Sequence, residues 1–131
     1  MGRKVRWSET DASGAVKFEA YVRMMEETEY AFLRSRGLRV VLEDERGIFG
    51  FPRLNVNVKV ERPAVFDEQL WITLELIHLD GKQIVYHFEV VDDDAKPVAT
   101  GKFKVACCRF PAGELPYAIL TPDFVLDALN E

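Results

Sequence analysis

An α+β fold, an antiparallel sheet of about five strands around one long helix, is the architecture this sequence predicts, on three observations. The first is a helical period: Phe18, Tyr21, Val22, Met25, Phe32 and Leu33 recur at three- and four-residue spacing in one block, from about Phe18 to Arg36. The second is that the stretches after Phe51 alternate apolar and polar residues with period two. The third is that short turn signals, not helical blocks, separate those stretches, which favours hairpins over crossover connections.

Taken in order, Val5 and Trp7 read as a short strand that enters a turn built from Glu9 to Gly14. The helix that follows, about 19 residues at ~1.5 Å each, would be ~28 Å long. Glu19, Arg23, Glu26, Glu27, Glu29, Arg34 and Arg36 fill its polar remainder, and Gly37 is a natural residue just past its end. Residues 38–50 predict a short helical turn around Val41 to Glu45, ended by Gly47. Leu54, Val56, Val58 and Val60 then alternate with Asn55, Asn57, Lys59 and Glu61, a half-buried strand stopped by Arg62-Pro63.

Leu70, Ile72, Leu74 and Leu76 mark the next strand, and Ile84, Tyr86, Phe88 and Val90 the one after it. A two-residue turn at Asp80-Gly81 would set Leu74 opposite His87 and split the apolar faces. A three-residue turn, Asp80-Gly81-Lys82, aligns Leu76 with Tyr86 and Leu74 with Phe88, and is the expected connection. Asp92 to Lys96 form a second hairpin turn, followed by a strand from Val98 to about Arg109 and a short helix from Pro122 to Leu129.

The 131 residues predict one domain, 1–131, and 48% hydrophobic content suffices for a core without metals or disulfides. A net charge of −5 argues against nucleic acid or an anionic membrane surface as partner. No apolar run approaches the ~20 residues that span a bilayer, and the N-terminal MGRKVRWSE has no apolar stretch of a secretory signal. A soluble cytoplasmic protein is expected. Cys107 and Cys108 alternate across a strand, so they form no redox pair, and Cys107 suits a core. His78 and His87, in the register above, point to opposite faces without a third ligand, so no metal is expected. No motif calls for a cofactor.

Asp11 is the leading candidate to carry chemistry. It stands in a tight turn just ahead of a helix N-terminus, where free N–H groups and the positive end of the dipole favour negative charge. A carboxylate there could simply cap the turn. A cap is the commoner role for such a residue; the chemical alternative is that it attacks a thioester carbonyl or activates water, with the amides near Lys17 and Phe18 stabilising the oxyanion. Gly14 would let backbone approach a substrate, or serve only the turn.

The pattern Asp11-x-x-Gly14-x-Val16-x-x-x-x-Tyr21, running on to Met25-Glu26 and Gly37-Leu38, resembles the 4-hydroxybenzoyl-CoA thioesterase family of hotdog-fold proteins. With Glu9-Thr10 it looks most like the small bacterial acyl-CoA thioesterases, and the likeness extends through Arg62-Pro63-Ala64 and Gly101 to Cys107. Many members carry Tyr-His where this chain has Lys17-Phe18, so that histidine's role is absent here. The resemblance implies a hotdog fold and hydrolysis of a small or medium acyl-CoA, aliphatic or aromatic. Asp11 would be nucleophile or general base and the Phe18 backbone amide an oxyanion donor.

It also implies a homodimer, or a homotetramer, with Asp11 meeting the partner subunit near the stretch Leu54 to Val60. Glu26 is a fallback carboxylate, and Tyr21 is core or pocket wall. Val58 joins the substrate-binding candidates. Arg62, Lys102, Lys104 and Arg109 are candidates to hold the CoA phosphates. The alternative is a module that holds an acyl-CoA or an acyl carrier protein thioester without cleaving it. A hotdog hydratase ranks lower, for want of a suitably spaced Asp/His pair.

Overall fold

A computed structural model describes residues 1–130. The order is β1 (Gly2–Lys4), a 3₁₀ turn (Trp7–Glu9), α1 (Phe18–Ser35), β2 (Val41–Asp44), β3 (Gly47–Gly50) and β4 (Arg53–Val60). Then come β5 (Gln69–Leu79), β6 (Ile84–Val91), β7 (Pro97–Val105), β8 (Cys108–Arg109), β9 (Tyr117–Ala118) and α2 (Asp123–Leu129). The main sheet is antiparallel with strand order β1-β5-β6-β7-β4, and a small second sheet runs β2-β3-β8-β9. No described helix is long and apolar enough to cross a membrane.

α1 lies on the inner face of the main sheet. Its Ala20, Tyr21, Met24, Met25 and Leu33 are buried with Leu70, Ile72, Tyr86, Phe88, Val90 and Phe103 from the strands. Gly101 sits under the helix because a Cβ there would come within 2.3 Å of the Met25 sulfur. At the far end, Gly37 (φ +75°) closes a Schellman motif: Leu38 N–H donates to Leu33 O at 2.9 Å and Gly37 N–H to Arg34 O at 3.0 Å. Phe18, counted on the apolar face, is instead exposed at the first position of the helix.

Several expectations change. Val5 and Trp7 are not a strand: pairing with β5 is made earlier, by Gly2, Arg3 and Lys4, and the chain turns at Trp7–Glu9. The helical turn expected around Val41 to Glu45 is a β-hairpin, in which Val41 faces Gly50 and Asp44 faces Gly47. Its two residues Glu45 and Arg46 make the turn, with Gly47 at φ +118°.

The strand expected from Val98 to Arg109 breaks after Val105, and Cys108 pairs with Gly50 of the second sheet. Cys107, at the break, is a buried core residue. The strands are not all in hairpin order either, since β4 pairs with β7 and forms an edge. That position leaves Leu54 and Val56 exposed where a half-buried strand was expected.

Leu74 does face Phe88 and Leu76 faces Tyr86, as the apolar alternation requires. The turn that sets this register is longer, however. Leu79 pairs with Ile84, and a bulge at Ile77 absorbs the extra residue. One consequence is that His78, opposite Val85, shares a face with His87 instead of opposing it. His78 Nε2 lies 2.8 Å from Asp80 Oδ2, and the described residues contain no group of three His, Cys, Asp or Glu able to hold a metal ion.

Candidate functional site

Asp11 is the first residue of a loop that starts and ends on one isolated bridge, Thr10 to Val16. Asp11 N–H donates to Ala15 O at 2.8 Å, and Gly14 N–H returns to Asp11 O at 3.0 Å. Gly14 adopts φ +85°, which is why a glycine stands there. A Cβ at Gly14 would meet nothing within 4 Å, so the turn accounts for the residue within this chain. The loop is pinned to the segment after β4 by Val16 N–H to Ala64 O (2.9 Å) and Phe66 N–H to Gly14 O (3.0 Å).

The Asp11 carboxylate is exposed. Ser13 donates to its Oδ1 from both Oγ (2.6 Å) and N–H (2.8 Å), and Ala15 N–H adds a third bond at 3.3 Å. These donors, the Ser13 hydroxyl first, hold its pKa below the usual carboxylate value. All three bonds go to Oδ1, and Oδ2 takes none among the described residues. The carboxylate is therefore fully ionised at neutral pH with one oxygen uncommitted. Val65, Phe66 and Trp7 stay exposed around the loop, the last two edge to face with centroids 5.3 Å apart.

α1 starts immediately after, at Phe18, with Lys17 as N-cap and no side-chain cap. Ala20 N–H donates to the Lys17 carbonyl at 3.0 Å, which leaves the Phe18 and Glu19 N–H groups without an intrahelical acceptor or a capping side chain. Lys17 and Arg23 line a depression of about 130 Å³ beside this first turn, together with Ser8, Glu9, Glu19 and Ala20.

The remaining candidates scatter. Tyr21 is in the core, and its hydroxyl accepts the Ala64 N–H at 2.9 Å, tying α1 to the end of the Asp11 loop. Burial raises its pKa. Val58 packs on the inner side of β4 opposite Gly101. Glu26 is half-exposed in the middle of α1, 3.4 Å from Arg53 Nη1.

Arg62 is no free cation. It forks onto Glu68 and reaches Asp92 at 3.0 Å, which raises its pKa and clamps the loop after β4. Arg109 is buried against Asp44 (2.5 and 3.2 Å) and over the Phe49 ring, so it fastens the β2–β3 hairpin instead of offering a surface charge. Lys102 and Lys104 lie on the outer face of the sheet, away from α1, where with Asn55, Asn57 and His87 they line a groove of about 440 Å³.

One residue escaped the sequence reading. Glu29, counted on the polar face, is 3% exposed. Arg53 Nη2 donates to its Oε1, and burial outweighs this partner to push its pKa up to about 7. The signal was available in the spacing: Glu29 stands four residues after Met25 and four before Leu33, both buried. It lines a cavity of about 200 Å³ with Tyr30, Leu33, Phe51, Pro52, Arg53 and Phe110 among its neighbours.

A family profile described as the thioesterase-like superfamily matches residues 5–129, nearly the whole chain. The protein belongs to the thioesterase-like superfamily. A protein of Aquifex aeolicus (strain VF5), provisionally named an esterase, is similar to this member of the superfamily at 27% identity over 129 residues, 98% of this chain and 95% of its own. Among solved structures, a 1,4-dihydroxy-2-naphthoyl-CoA thioesterase from Synechocystis superposes with a TM-score of 0.85 at 19% identity, covering 100% of this chain and 94% of that one. A gentisyl-coenzyme A thioesterase follows at TM-score 0.82, 20% identity and 98% of each chain. The fold of this thioesterase-like chain is the hotdog, one long helix on an antiparallel sheet.

Proposed function

We propose that this protein hydrolyses an acyl-CoA thioester to the free acid and CoA, with Asp11 as the reacting carboxylate. The observation that supports this most is the state of Asp11: ionised, exposed, with Oδ2 uncommitted, a few residues ahead of the uncapped start of α1. Two routes fit. In one, Oδ2 adds to the thioester carbonyl carbon, the C–S bond breaks, CoA leaves as thiolate and takes a proton from water, and a second water cleaves the mixed anhydride. In the other, Oδ2 takes a proton from a water molecule whose oxygen adds to the carbonyl carbon, the tetrahedral intermediate collapses with cleavage of the C–S bond, and the departing CoA thiolate takes the proton back from Asp11. Both collect negative charge on the carbonyl oxygen, which the Phe18 N–H and the helix dipole would stabilise.

The assembly proposed for this chemistry is a homodimer, or a tetramer built from it. Strand β4 is an edge with exposed Leu54 and Val56, and proteins normally pair or cover such an edge. Dilution should then cost activity and folding together. A fully active monomer in light scattering at assay concentration rules the dimer out.

Purified protein should release free thiol from a panel of aliphatic and aromatic acyl-CoAs, and Asp11→Asn should cut this by at least about a hundredfold with the fold intact. Undiminished turnover in Asp11→Asn overturns the assignment. Lys17-Phe18, in place of the Tyr-His of many relatives, favours a second reading, a module that binds acyl-CoA or an acylated carrier protein without turnover. Tight binding with no thiol release would select it.

A further inference from the structure

The turn that carries Asp11 is complete without the Ser13 side chain. Asp11 N–H donates to Ala15 O, Gly14 N–H donates to Asp11 O, and the Ser13 and Ala15 N–H groups both donate to Asp11 Oδ1. All of these donors are backbone groups, so any residue but proline at position 13 supplies the same set. The Ser13 hydroxyl is a further donor that the turn does not require. It is exposed, where water could satisfy it, yet its partner is again Asp11 Oδ1, at 2.6 Å the shortest of the three bonds to that oxygen. An exposed polar side chain of this kind contributes little to folding.

We infer that Ser13 is a positioning residue for Asp11, its hydroxyl holding Oδ1 so that Oδ2 is the oxygen presented for reaction; the inference rests on the hydrolysis reading above. Without the hydroxyl the carboxylate keeps one good anchor, the Ser13 N–H at 2.8 Å, and one poor one, the Ala15 N–H at 3.3 Å. Asp11 is exposed, so packing does little to hold its rotamer. With the hydroxyl, three donors converge on Oδ1, and the direction of Oδ2 follows. Reaction depends steeply on such placement, since an error of about 1 Å can cost about a hundredfold. The same bond makes the carboxylate less basic, which by itself slows attack or proton removal. Position outweighs basicity here, because a Brønsted slope below one passes only part of a change in basicity to the rate.

The other charges around the loop do not depend on Ser13. Lys17, at the start of α1, is the cation that acts on Asp11. Glu9, in the 3₁₀ turn, is committed to Arg3 and to the Arg6 N–H. Val65 and Phe66, on the segment bonded to the loop, are uncharged. Beyond them Asp67 pairs with Lys4 at 3.9 Å and Glu68 with Arg62 at 3.0 Å. Removing one hydroxyl therefore changes the hold on Asp11 and leaves this frame in place.

The test compares Ser13→Ala and Ser13→Thr with the wild type, by thiol release from whichever acyl-CoA of the panel is turned over fastest. Ser13→Ala should lower kcat by about tenfold, the scale of one hydrogen bond to a charged group. KM should stay within about twofold, because the lost interaction serves the reacting group and not substrate binding. The acid limb of kcat/KM should move to higher pH, since losing a donor to the ionised form raises a carboxylate pKa. Ser13→Thr keeps a hydroxyl and should recover most of the lost kcat. An unchanged or raised kcat in Ser13→Ala, or equal losses in both variants, overturns the inference. Nuclear magnetic resonance gives a readout independent of turnover: the Asp11 Hα–Hβ couplings should report one rotamer in the wild type and averaging in Ser13→Ala. Couplings that stay fixed while the denaturation midpoint falls give Ser13 to the turn alone and overturn the inference. If no acyl-CoA yields thiol, or Asp11→Asn keeps full turnover, the hydrolysis assignment has failed instead. The couplings then judge the Ser13 contact by itself: averaging in Ser13→Ala sustains it, and fixed couplings overturn it.

Discussion

The two ends of α1 handle a carboxylate in opposite ways. At the N-terminal end Asp11 is exposed, bonded by its own turn and held below its ordinary pKa. In the C-terminal half Glu29 is buried, shares one arginine with Glu26 and is pushed up to about 7. Short local hydrogen bonds keep the first charged at any neutral pH. Desolvation leaves the second near the midpoint of its titration. The lesson is that burial outweighs a direct ion pair when the partner is itself shared and partly dry. The loop ahead of this helix thus carries an exposed, ionised carboxylate, and the helix itself a buried one that titrates close to neutral pH.

The largest effect expected is on turnover. We predict that Asp11→Asn lowers kcat by roughly 10²–10⁴, the usual range for losing a positioned acid–base or nucleophilic group. Glu26→Gln, half-exposed on the same helix, should change it by less than about threefold, the scale of a surface ion pair. Thiol release under saturating substrate separates the two. If the Glu26 variant takes the larger loss, the reacting carboxylate lies in the middle of the helix and the contrast between its ends disappears.

The next effect is on stability. Glu29 ordinarily titrates near 4.5, and its folded value is about 7. Between those values the folded protein holds more protons than the unfolded chain, so this group's contribution falls as pH rises through that window and is flat above it. The full loss is at most about 3 kcal/mol. Arg53, Glu26, Tyr30 and Tyr86 are the groups that share its surroundings. Asp11 has the opposite sign, since a depressed carboxylate stabilises above its ordinary pKa and loses that contribution as pH falls through the folded value. Denaturation midpoints from pH 5 to 8 should therefore decline for the wild type and decline less for Glu29→Gln. Parallel curves would show that Glu29 is ionised throughout.

The same contrast explains what was legible beforehand. Asp11, Gly14 and the start and stop of α1 are local features: turn residues, a period and a C-terminal glycine, all within a few positions of one another. The pairing of Leu74 with Phe88 followed from keeping apolar residues on one face. The β2–β3 hairpin was hidden because LEDERG reads as helix-compatible and charged, while its stability comes from Arg109, more than sixty residues away, bonded to Asp44 and Gly47 O. Glu29 was hidden for a related reason. Only Arg53, on a strand far along the chain, makes a glutamate tolerable on the buried face. The edge position of β4 and the Ile77 bulge likewise depend on which strand pairs with which.

A smaller effect sharpens the link between core and loop. Tyr21 sits in α1, but its hydroxyl satisfies the buried N–H of Ala64, whose carbonyl accepts Val16 N–H from the Asp11 loop. Tyr21→Phe keeps the ring and orphans that N–H, so we expect a loss of about 1–3 kcal/mol. Denaturant titration measures the loss. Hydrogen exchange should show the amides of Ala64 and Val16 less protected than those in the second half of α1. Uniform loss of protection would mean the hydroxyl supports the whole fold equally and does not specifically hold the loop.

The smallest effect belongs to Gly14. Its φ of +85° disfavours any L side chain, yet an added Cβ would touch nothing within 4 Å. Gly14→Ala should therefore cost only the backbone preference, about 1 kcal/mol. Gly101→Ala is a useful reference, because its Cβ would run into Met25 and disturb packing far from Asp11. If Gly14 serves the turn alone, the Ala variant should keep its KM and lose at most a few-fold in kcat at temperatures where it is folded. A KM raised tenfold or more in a folded Gly14→Ala protein would instead mean that substrate passes against this backbone. The exposed end of α1 would then be a binding surface as well as a reactive one, and its contrast with the Glu29 end would narrow to charge state alone.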